Sequence, residues 1–344
     1  MKVSISIDKE SVTPAYRQIV QNISSMIGSG QFRDGDMLPS MNELADEYEI
    51  SKETVKKAYT ILRDKGLVEP HQGKGFFVRV DGNSHKTRVL AIFDKLSTYK
   101  QILFNSMQET LGDHAEITIL LHEQNVETLE YFLNENLDNF DWYVITPHFP
   151  LDMASQEKAA AQLKRVPNRK LIMADNWLSE IPGNYGAVYQ DWENDIIHGL
   201  EEGLETLRNY SHLSVITLPS SLYAPPIRKG VERFCRDNGI LVTFSDTVIP
   251  GNVRKGEAYL LLSGQYDLGL IELSRLAKSK GLKVGKDIAI ISYNESPLSE
   301  ILLGGLTTVS TDFVKMGRTI GNMIMEKNLS KQHCDFRMTR RDSF

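Results

Sequence analysis

Cysteine and long hydrophobic runs are scarce in this sequence. Its 344 residues contain two cysteines, Cys235 and Cys334, which lie far apart and form no CxxC pair. Such cysteines are typical of buried, reduced thiols and not of a disulfide framework. The longest apolar runs, such as Ala258–Leu262, are too short to cross a bilayer, and the opening MKVSISIDKE has no apolar signal-peptide core. We therefore expect a cytoplasmic protein with no membrane partner.

The usual signatures of enzymes are also missing. The eight histidines show no metal-ligand spacing, and the sequence contains no GxSxG motif. The segment GLKVGKD, residues 281–287, resembles a phosphate-binding loop, but it has one residue too few between its glycines. It also places Asp287 where a serine or threonine would bind the metal. We expect no catalytic residues, no metal site and no cofactor.

Charge is divided unevenly along the chain, whose formal net charge is −6. Residues 1–80 contain 11 Lys and Arg against 11 Asp and Glu, so the remaining residues carry the whole negative excess. The length exceeds that of one ordinary domain, and 41% hydrophobic with 24% charged residues is typical of a packed protein. The asymmetry predicts a small head whose task differs from that of the body.

The first 80 residues have the helix caps and apolar spacing of three helices followed by a β-hairpin. On the third helix, Lys52, Lys56 and Arg63 project within about 40° of one another, beside the predicted buried face. Side chains that reach DNA from a packed helix must leave from such a flank. The first helix is expected to start at Thr13-Pro14 and end at residues 28–30, the second to start at a capping box of Ser40 and Glu43, and the third to start at Ser51 and end at Gly66. The two strands of the hairpin are expected over 67–69 and 75–80.

After a polar, turn-rich linker over residues 81–87, the pattern changes to apolar strands that alternate with amphipathic helices. Such alternation predicts parallel sheets with helices on both faces, and the 257 residues from 88 to 344 suffice for two lobes. The predicted strands are Val89–Phe93, Glu116–Leu121, Trp142–Thr146, Lys170–Ala174, Leu213–Leu218, Ile240–Phe244, Tyr259–Leu262 and Ile288–Tyr293. The predicted helices cover 99–111, 154–166, 193–210, 226–238 and 268–280.

Residues 14–78, from PAYRQIV to GKGFFV, closely resemble the GntR-type winged-helix domain. They match its pattern of Y-x-Q-I, G-x-x-x-x-G-x-x-L-P-S, L-A, S-x-x-T-V, A-Y-x-x-L and G-x-G-x-F-V without a gap. Asn42 departs from it, because arginine is common there. The resemblance implies a double-stranded DNA partner. The predicted DNA-binding residues are Ser40, Asn42, Ser51, Lys52, Thr54, Lys56, Arg63, His71, Gln72, Gly73 and Lys74.

The body resembles the sugar-sensing domain of LacI/GalR regulators, which has a periplasmic-binding-protein fold. The segment DIAIISYNESPLSEILLGGLTTVSTDFVKMGR is similar to D-V-S-V-x-G-F-D-D…L-T-T-V-x-Q…M-G, and Arg341-Asp342-Ser343 to the terminal R-x-S. Val188–Trp192 resembles V-x-x-D-N, and IRKGVERFCRDNGI resembles R-x-x-G-F…A-G-I. A GntR head on this body is the arrangement of the arabinose-repressor type of regulator.

The resulting fold class is α/β: an N-terminal winged helix-turn-helix (residues 1–80), the linker 81–87, and a two-lobed periplasmic-binding-protein-like domain (residues 88–344) with two parallel sheets flanked by helices. The N-lobe is expected to comprise about 88–190 and 306–328, and the C-lobe about 191–305 and 329–344. Because ligands of open α/β sheets sit beyond the carboxyl ends of the strands, the lobes should enclose an effector there.

Polar planar groups and aromatic rings follow the predicted strands, and a sugar needs both kinds of side chain. The predicted ligand-binding residues are Ser97, Tyr99, His148, Phe149, Asp175, Asp191, Trp192, Tyr223, Arg228, Gln265 and Asn294. The resemblance implies that Asp191, Arg228 and Asn294 bond sugar hydroxyls. Asn294 and Gln265 stand where the family usually has aspartate, which leaves the identity of the sugar open.

These features together favour a transcriptional regulator of carbohydrate-use genes, and the family resemblance implies that it acts as a repressor. We expect a homodimer on a pseudo-palindromic operator, controlled by a small sugar such as L-fucose or L-arabinose. One alternative is a GntR regulator that senses a phosphorylated sugar or another small metabolite. A second is a sugar-binding protein without a regulatory role, which the winged-helix head and the missing signal peptide oppose.

Overall fold

The protein divides into two compact units, residues 1–86 and 87–344, called the head and the body below. The computed structural model describes residues 5, 7–8, 11, 13–71, 73–79, 86–217, 221–262 and 268–344, with only the backbone of Leu268. Most of the predicted linker, residues 81–85, lies outside this part. Thr87, its expected last residue, already begins the first strand of the body.

The head consists of three helices and a hairpin, as the sequence predicts. The helices are α1 (Ala15–Gly28), α2 (Met41–Tyr48) and α3 (Lys52–Asp64), and the antiparallel strands are β1 (Val68–His71) and β2 (Gly75–Val78). One expected cap is different: Pro14, in extended conformation, occupies the N-cap of α1, and no side chain caps it. Thr13 instead accepts a hydrogen bond from Gln18 Nε2 through its backbone carbonyl, at 2.7 Å.

The core of the head is formed by the apolar faces of its three helices. Ile19, Ile23, Leu44, Val55 and Leu62 have no exposed side-chain surface. Tyr59 is equally buried, and its hydroxyl donates to the carbonyl oxygen of Pro39 at 2.6 Å. With one face of α3 buried in this way, its opposite face is directed to solvent.

The body contains two six-stranded sheets with helices packed against them. Its first lobe contains β3 (Thr87–Phe93), α4 (Thr98–Leu111), β4 (Ala115–Leu121), α5 (Val126–Asn136), β5 (Trp142–Ile145), α6 (Met153–Leu163), β6 (Leu171–Asp175) and β7 (Gly186–Tyr189). The chain then forms α7 (Trp192–Glu201), α8 (Leu204–Leu207), β8 (His212–Ile216), α9 (Ala224–Asn238), β9 (Val242–Ser245), β10 (Glu257–Leu261), α10 (Leu268–Ser279), β11 (Ala289–Tyr293) and β12 (Thr307–Thr311). It ends with α11 (Phe313–Glu326), β13 (Lys331–His333) and β14 (Phe336–Thr339).

The strand orders are β13-β7-β6-β5-β3-β4 in the first sheet and β14-β12-β11-β10-β8-β9 in the second. Neighbouring strands are parallel throughout, except that β14 is antiparallel to β12. In both sheets the chain adds its second strand on one side of the first and its third strand on the other. Such a reversal is the switch point at which open α/β sheets bind ligands.

The last part of the chain crosses between the lobes differently from the prediction. Strand β12, expected in the N-lobe, pairs with β11 and therefore belongs to the second sheet. Helix α11 packs Phe313, Met316 and Ile320 on the core of the first lobe. Strand β13, expected in the C-lobe, pairs with β7, and only β14 returns to the second sheet. The two lobes are therefore joined near residues 190–191, 312 and 334–335.

The helix predicted over 193–210 is interrupted, because Glu202 and Gly203 separate α7 from α8. A Cβ atom on Gly203 would lie 2.7 Å from Met338 Cε and 2.8 Å from Phe344 Cε1. A side chain larger than that of glycine would therefore force Met338 and Phe344 to shift. No helix in the part of the chain that the structure describes is long and apolar enough to span a membrane.

Candidate functional site

Helix α3 presents the cationic flank that its sequence predicts. Ser51 Oγ caps the helix by accepting from the backbone N–H of Thr54 at 3.1 Å, and the two hydroxyls lie 2.8 Å apart. Lys52, Lys56 and Arg63 are exposed. Lys56 lies 3.5 Å from Glu53 and Arg63 2.8 Å from Asp64, but such solvent-exposed pairs contribute little energy and exchange readily for phosphate.

The N-terminus of α2, which carries the predicted residues Ser40 and Asn42, is held by a capping box. Ser40 Oγ accepts from the Glu43 N–H at 3.2 Å, and Glu43 Oε2 accepts from the Ser40 N–H at 2.7 Å. These hydrogen bonds from Ser40 lower the pKa of Glu43. Ser40 thus has a structural role, while the exposed Asn42 carries no positive charge where arginine is common.

The hairpin tip bends through two glycines with left-handed backbone angles, Gly73 at φ 75° and Gly75 at φ 108°. Lys74 between them is exposed. His71 Nε2 lies 2.8 Å from Glu69 Oε1, and its ring packs 4.6 Å from that of Phe77, so this side chain is engaged within the hairpin. Gln72, also predicted to contact DNA, lies outside the described residues.

In the body, a buried lysine holds two carboxylates at the carboxyl edge of the first sheet. Lys100 Nζ lies 3.1 Å from Asp94 Oδ1 and 2.5 Å from Asp175 Oδ2, and none of the three side chains is appreciably exposed. Asp94 directly follows β3, and Asp175 ends β6. Asp94 Oδ1 also accepts from the hydroxyl of Thr146, at 3.0 Å. Two carboxylates and one ammonium give this cluster a net charge of −1.

Burial and ion pairing act in opposite directions on these groups, and ion pairing dominates. Burial would raise the pKa of Asp175, but Lys100 and His148 hold it well below its ordinary value. Burial likewise opposes the shift at Asp94, where Lys100 lowers the pKa. For Lys100, burial lowers the pKa and the two carboxylates raise it further, to above its usual value. All three groups are therefore charged at neutral pH.

Close polar contacts and hydrogen bonds connect this cluster to the second lobe. His148 Nε2 lies 2.9 Å from Asp175 Oδ2, and its Nδ1 is hydrogen-bonded to the hydroxyl of Tyr223 at the start of α9. The Tyr223 ring packs 4.7 Å from that of Trp192. Gln190 Nε2 donates to Asp175 Oδ1, and Gln190 Oε1 accepts from Thr311 Oγ1 at 2.6 Å. Side chains of both lobes thus form one continuous polar network.

The interlobe region brings together seven of the predicted ligand-binding residues. Ser97 begins α4 without making a capping hydrogen bond. Tyr99 packs against Phe313, and burial raises its pKa to about 12. Asn294 follows β11 with a positive φ of 69°, and its Oδ1 is buried with no hydrogen-bond partner among the described residues. The seven are Ser97, Tyr99, His148, Asp175, Trp192, Tyr223 and Asn294.

Arg228 is directed away from this region, contrary to the role that its resemblance implied. Its side chain is 53% exposed, donates to Glu232 at 2.8 Å and lies over the ring of Phe244. In the R-x-x-G pattern the arginine precedes the glycine by three residues, whereas Arg228 precedes Gly230 by two. One residue rotates a helical side chain by about 100°, so Arg228 occupies a different face of α9.

Two other predicted residues, Asp191 and Phe149, are not part of the network either. Asp191 is exposed and caps α7, accepting from Asn194 Nδ2 at 2.7 Å. Phe149 is buried in the core on the other face of the first sheet, where it stacks on His122 at 4.5 Å. Gln265 lies outside the described residues.

Sequence reasoning missed Asp94, Lys100, Gln190, Tyr293 and Thr311. A strand-end signal was present for Asp94, Tyr293 and Thr311, since each ends or directly follows a strand. The burial of Lys100 had no sequence signal, because its partner Asp175 is 75 residues away. Among the described residues, no group of three or more His, Cys, Asp or Glu side chains is arranged to hold a metal ion.

Comparison with protein families gives a match within each of the two units. The family profile described as "Bacterial regulatory proteins, gntR family" matches residues 15–78. The profile described as "Periplasmic binding protein-like domain" matches residues 222–339. The chain is 33% identical over 99 residues to the HTH-type transcriptional repressor YtrA of Bacillus subtilis (strain 168), a match that covers 29% of this chain and 72% of that protein.

Solved structures show what the chain resembles in fold. The Lac repressor dimer bound to operator and the anti-inducer ONPF superposes with a TM-score of 0.60 at 17% identity, over 75% of this chain and 94% of that one. A periplasmic binding protein/LacI transcriptional regulator from Alkaliphilus metalliredigens QYMF, complexed with D-xylulofuranose, superposes with a TM-score of 0.56 at 13% identity. This match covers 75% of this chain and 99% of that one. At such identities the likeness establishes the architecture.

Proposed function

The chain belongs to the GntR family of bacterial regulatory proteins, and on this basis we propose that it represses carbohydrate-use genes under the control of a small neutral sugar. The head binds double-stranded operator DNA, and the sugar binds between the lobes of the body. The observation that supports this assignment most is the coexistence in one chain of an exposed cationic recognition helix and a buried, polar interlobe network.

The head supports DNA binding through its charges and its shape. Lys52 and Lys56 lie near the N-terminus of α3, the end that enters the major groove in helix-turn-helix proteins. Lys74, between two glycines, suits contact with a groove or with phosphates. Neutralised phosphates release counterions, so we expect binding to weaken steeply with salt. A homodimer would place two heads on the half-sites of a pseudo-palindromic operator, and such a regulator acts in the cytoplasm.

The body supports a neutral ligand over a phosphorylated one. Lys100, the cation within the cluster, is already paired with two carboxylates, so a phosphate group there would meet a net negative charge. Arg228, the cation that the sequence offered, is exposed and paired with Glu232. The aromatic rings of Tyr99, Trp192 and Tyr223 suit the apolar face of a sugar, and their neighbours suit its hydroxyls. L-fucose and L-arabinose are therefore suitable first probes.

The control mechanism follows from the two lobes. Hinge motion about the three crossings would open or close the interlobe network, as in periplasmic binding proteins. Sugar binding favours the arrangement for which it has the higher affinity, and the linker 81–87 carries the change to the heads. Coupling free energies of this kind are about 1–3 kcal/mol, and we assign release from the operator to the sugar-bound state.

The proposal is tested by operator binding with and without sugars. Fluorescence anisotropy of duplexes from the promoter region of the protein's own gene should show binding in dilute buffer. A neutral pentose, hexose or 6-deoxyhexose should then lower the affinity at least about fivefold, the lower end of that coupling range. Release by sugar phosphates alone would favour the phosphorylated-sugar alternative. Sugar binding without any DNA binding would favour a plain sugar-binding protein.

A further inference from the structure

Two buried polar side chains outside the predicted site have unpartnered atoms where the lobes meet. Asp94 Oδ2, in the first lobe, and the hydroxyl of Tyr293, in the second, have no hydrogen-bond partner among the described residues. The two side chains belong to residues that are 0% and 5% exposed. Burying an unsatisfied polar group costs about 1–3 kcal/mol, so chains retain such groups where another molecule satisfies them.

Both residues lie at the carboxyl ends of strands that border the interlobe network. Asp94 follows β3, and β3 and β5 flank the switch point of the first sheet, where ligands bind in open α/β folds. Tyr293 ends β11, beside β12, whose last residue Thr311 donates to Gln190. Gln190 in turn donates to Asp175, which shares Lys100 with Asp94. A short chain of contacts therefore connects Asp94 with Thr311, on the strand that pairs with the strand of Tyr293.

The protonation states of the two side chains suit complementary hydrogen bonds. Burial, and after it the charges of Asp195, Asp175 and Tyr99, raises the pKa of Tyr293 well above its ordinary value. The phenol therefore stays protonated at neutral pH and can donate a hydrogen bond. Asp94 stays ionised beside Lys100 and can only accept. Asn294 Oδ1, directly after Tyr293, adds a second unpartnered acceptor on the second lobe.

We propose that Asp94 and Tyr293 bind the hydroxyl groups of one neutral sugar, each from its own lobe. This inference rests on the proposed function and specifies its site. Asp94 Oδ2 accepts from one hydroxyl, and Tyr293 donates to a second oxygen of the same ligand. Lys100 acts as the fixed counter-ion that keeps Asp94 ionised and holds its other oxygen, so it does not bind an anionic ligand.

The Tyr293 position allows an experiment that separates ligand binding from stability. Tyr293→Phe removes only the unpartnered hydroxyl, so the free protein should melt at the wild-type temperature or higher. Its affinity for the sugar should fall about tenfold. Asp94→Asn removes the charge of a charge-assisted hydrogen bond and should weaken the same sugar about tenfold to a hundredfold.

A matched control lies on the neighbouring strand. Tyr259, on β10, is as buried as Tyr293, but its hydroxyl donates to the carbonyl oxygen of Asn252 at 2.9 Å. Tyr259→Phe should therefore lower the melting temperature of the free protein and leave sugar affinity unchanged. For Asp94→Asn, the exposed Asp113 provides the corresponding surface control, Asp113→Asn.

The probes are a panel of aldopentoses, aldohexoses and 6-deoxyhexoses, including L-arabinose and L-fucose, with glucose 6-phosphate and inorganic phosphate, titrated calorimetrically into the full chain. Support requires a neutral sugar that binds the wild type and both controls but is weakened by Tyr293→Phe and Asp94→Asn. The inference would be overturned, with the proposed function left intact, if those two variants bound the sugar with wild-type affinity. The same holds if Tyr293→Phe lost as much stability as Tyr259→Phe. Binding of phosphates only, or of no probe, would overturn the proposed function and the inference with it.

Discussion

The head and the body use charge in opposite ways. The head keeps its charged side chains in solvent, where Lys52, Lys56 and Arg63 make at most weak local pairs. The body buries Lys100 between Asp94 and Asp175, in a network that joins both lobes. Surface charge can be exchanged for DNA phosphates with little cost to folding, whereas buried charge is part of the folded structure. Replacing the exposed lysines of the head should therefore weaken DNA binding without loss of stability, whereas replacing Lys100 should destabilise the body.

The largest expected effect is that of Lys100→Met, which leaves two buried carboxylates without their cation. Removing one partner of a buried pair costs about 3–5 kcal/mol. Urea unfolding followed by tryptophan fluorescence measures the body alone, because Trp142, Trp177 and Trp192 all belong to it. The exposed Lys95, which follows Asp94 in the sequence, supplies the control. Lys95→Met should change the free energy of unfolding by less than about 0.5 kcal/mol. Equal unfolding midpoints for the two variants would contradict the statement that buried charge is part of the folded structure of the body.

A second variant tests close packing in the body. A Cβ atom on Gly230 of α9 would lie 2.3 Å from the carbonyl oxygen of Glu193 and 2.4 Å from Ile196 Cγ2, both on α7. Gly230→Ala should therefore force the helices apart at a cost of about 1–3 kcal/mol. In the head, a Cβ atom on Gly28 meets nothing within 4 Å, so Gly28→Ala is the control and should not destabilise the protein. Wild-type urea stability of Gly230→Ala would contradict this packing.

The body should also be the acid-sensitive unit because of its buried histidine. Burial lowers the pKa of His122 to about 4, whereas an unfolded histidine titrates near about 6.5. The unfolded state therefore binds the proton first, and stability is lost as the pH falls from about 6.5 to about 4. His122→Gln should reduce that loss by about 2 kcal/mol at pH 4.5.

The measurement is the difference in urea midpoint between pH 7 and pH 4.5, again by tryptophan fluorescence. His198→Gln removes an exposed histidine and should lose as much stability in acid as the wild type. An acid loss in His122→Gln that equals the wild-type loss would show that His122 is not responsible.

The smallest free-energy change is expected in the head, where it appears in binding. Lys52→Ala with Lys56→Ala should weaken operator binding about tenfold and reduce the salt slope by about one for each lysine that contacts a phosphate. The melting temperature should stay at the wild-type value. The exposed body lysines Lys164 and Lys278, both replaced by alanine, serve as the control for lost charge. Equal operator affinities for the two double variants would contradict the assignment of α3.

How much the sequence predicted also differs between the two units. In the head, caps and apolar spacing are local signals, and the helix starts at Ser40 and Ser51 appear where expected. Strands of the body were predicted because parallel strands are continuous apolar runs. The assignment of β12 and β13 to the lobes was not predictable from local pattern, because pairing with β11 and β7 is a long-range choice.

The interlobe site was predicted in part for the same reason. Residues that follow strands within a few positions, such as His148 and Asn294, were found because the fold gathers strand ends at one edge. Lys100 was missed because nothing near it in sequence indicates burial between Asp94 and Asp175. Arg228 was assigned by resemblance, and a difference of one residue in its spacing to Gly230 directs it away from the network.

The most direct test of the account is the operator affinity of the full chain at increasing concentrations of a neutral sugar, measured for the wild type and for Tyr293→Phe. We expect the wild type to release the duplex, and we expect Tyr293→Phe to bind it equally well without sugar but to need about ten times more sugar for release. Release of both proteins at the same sugar concentration would contradict a sugar bound between the lobes through Tyr293. Failure of the wild type to bind any duplex from its promoter region would contradict the account as a whole.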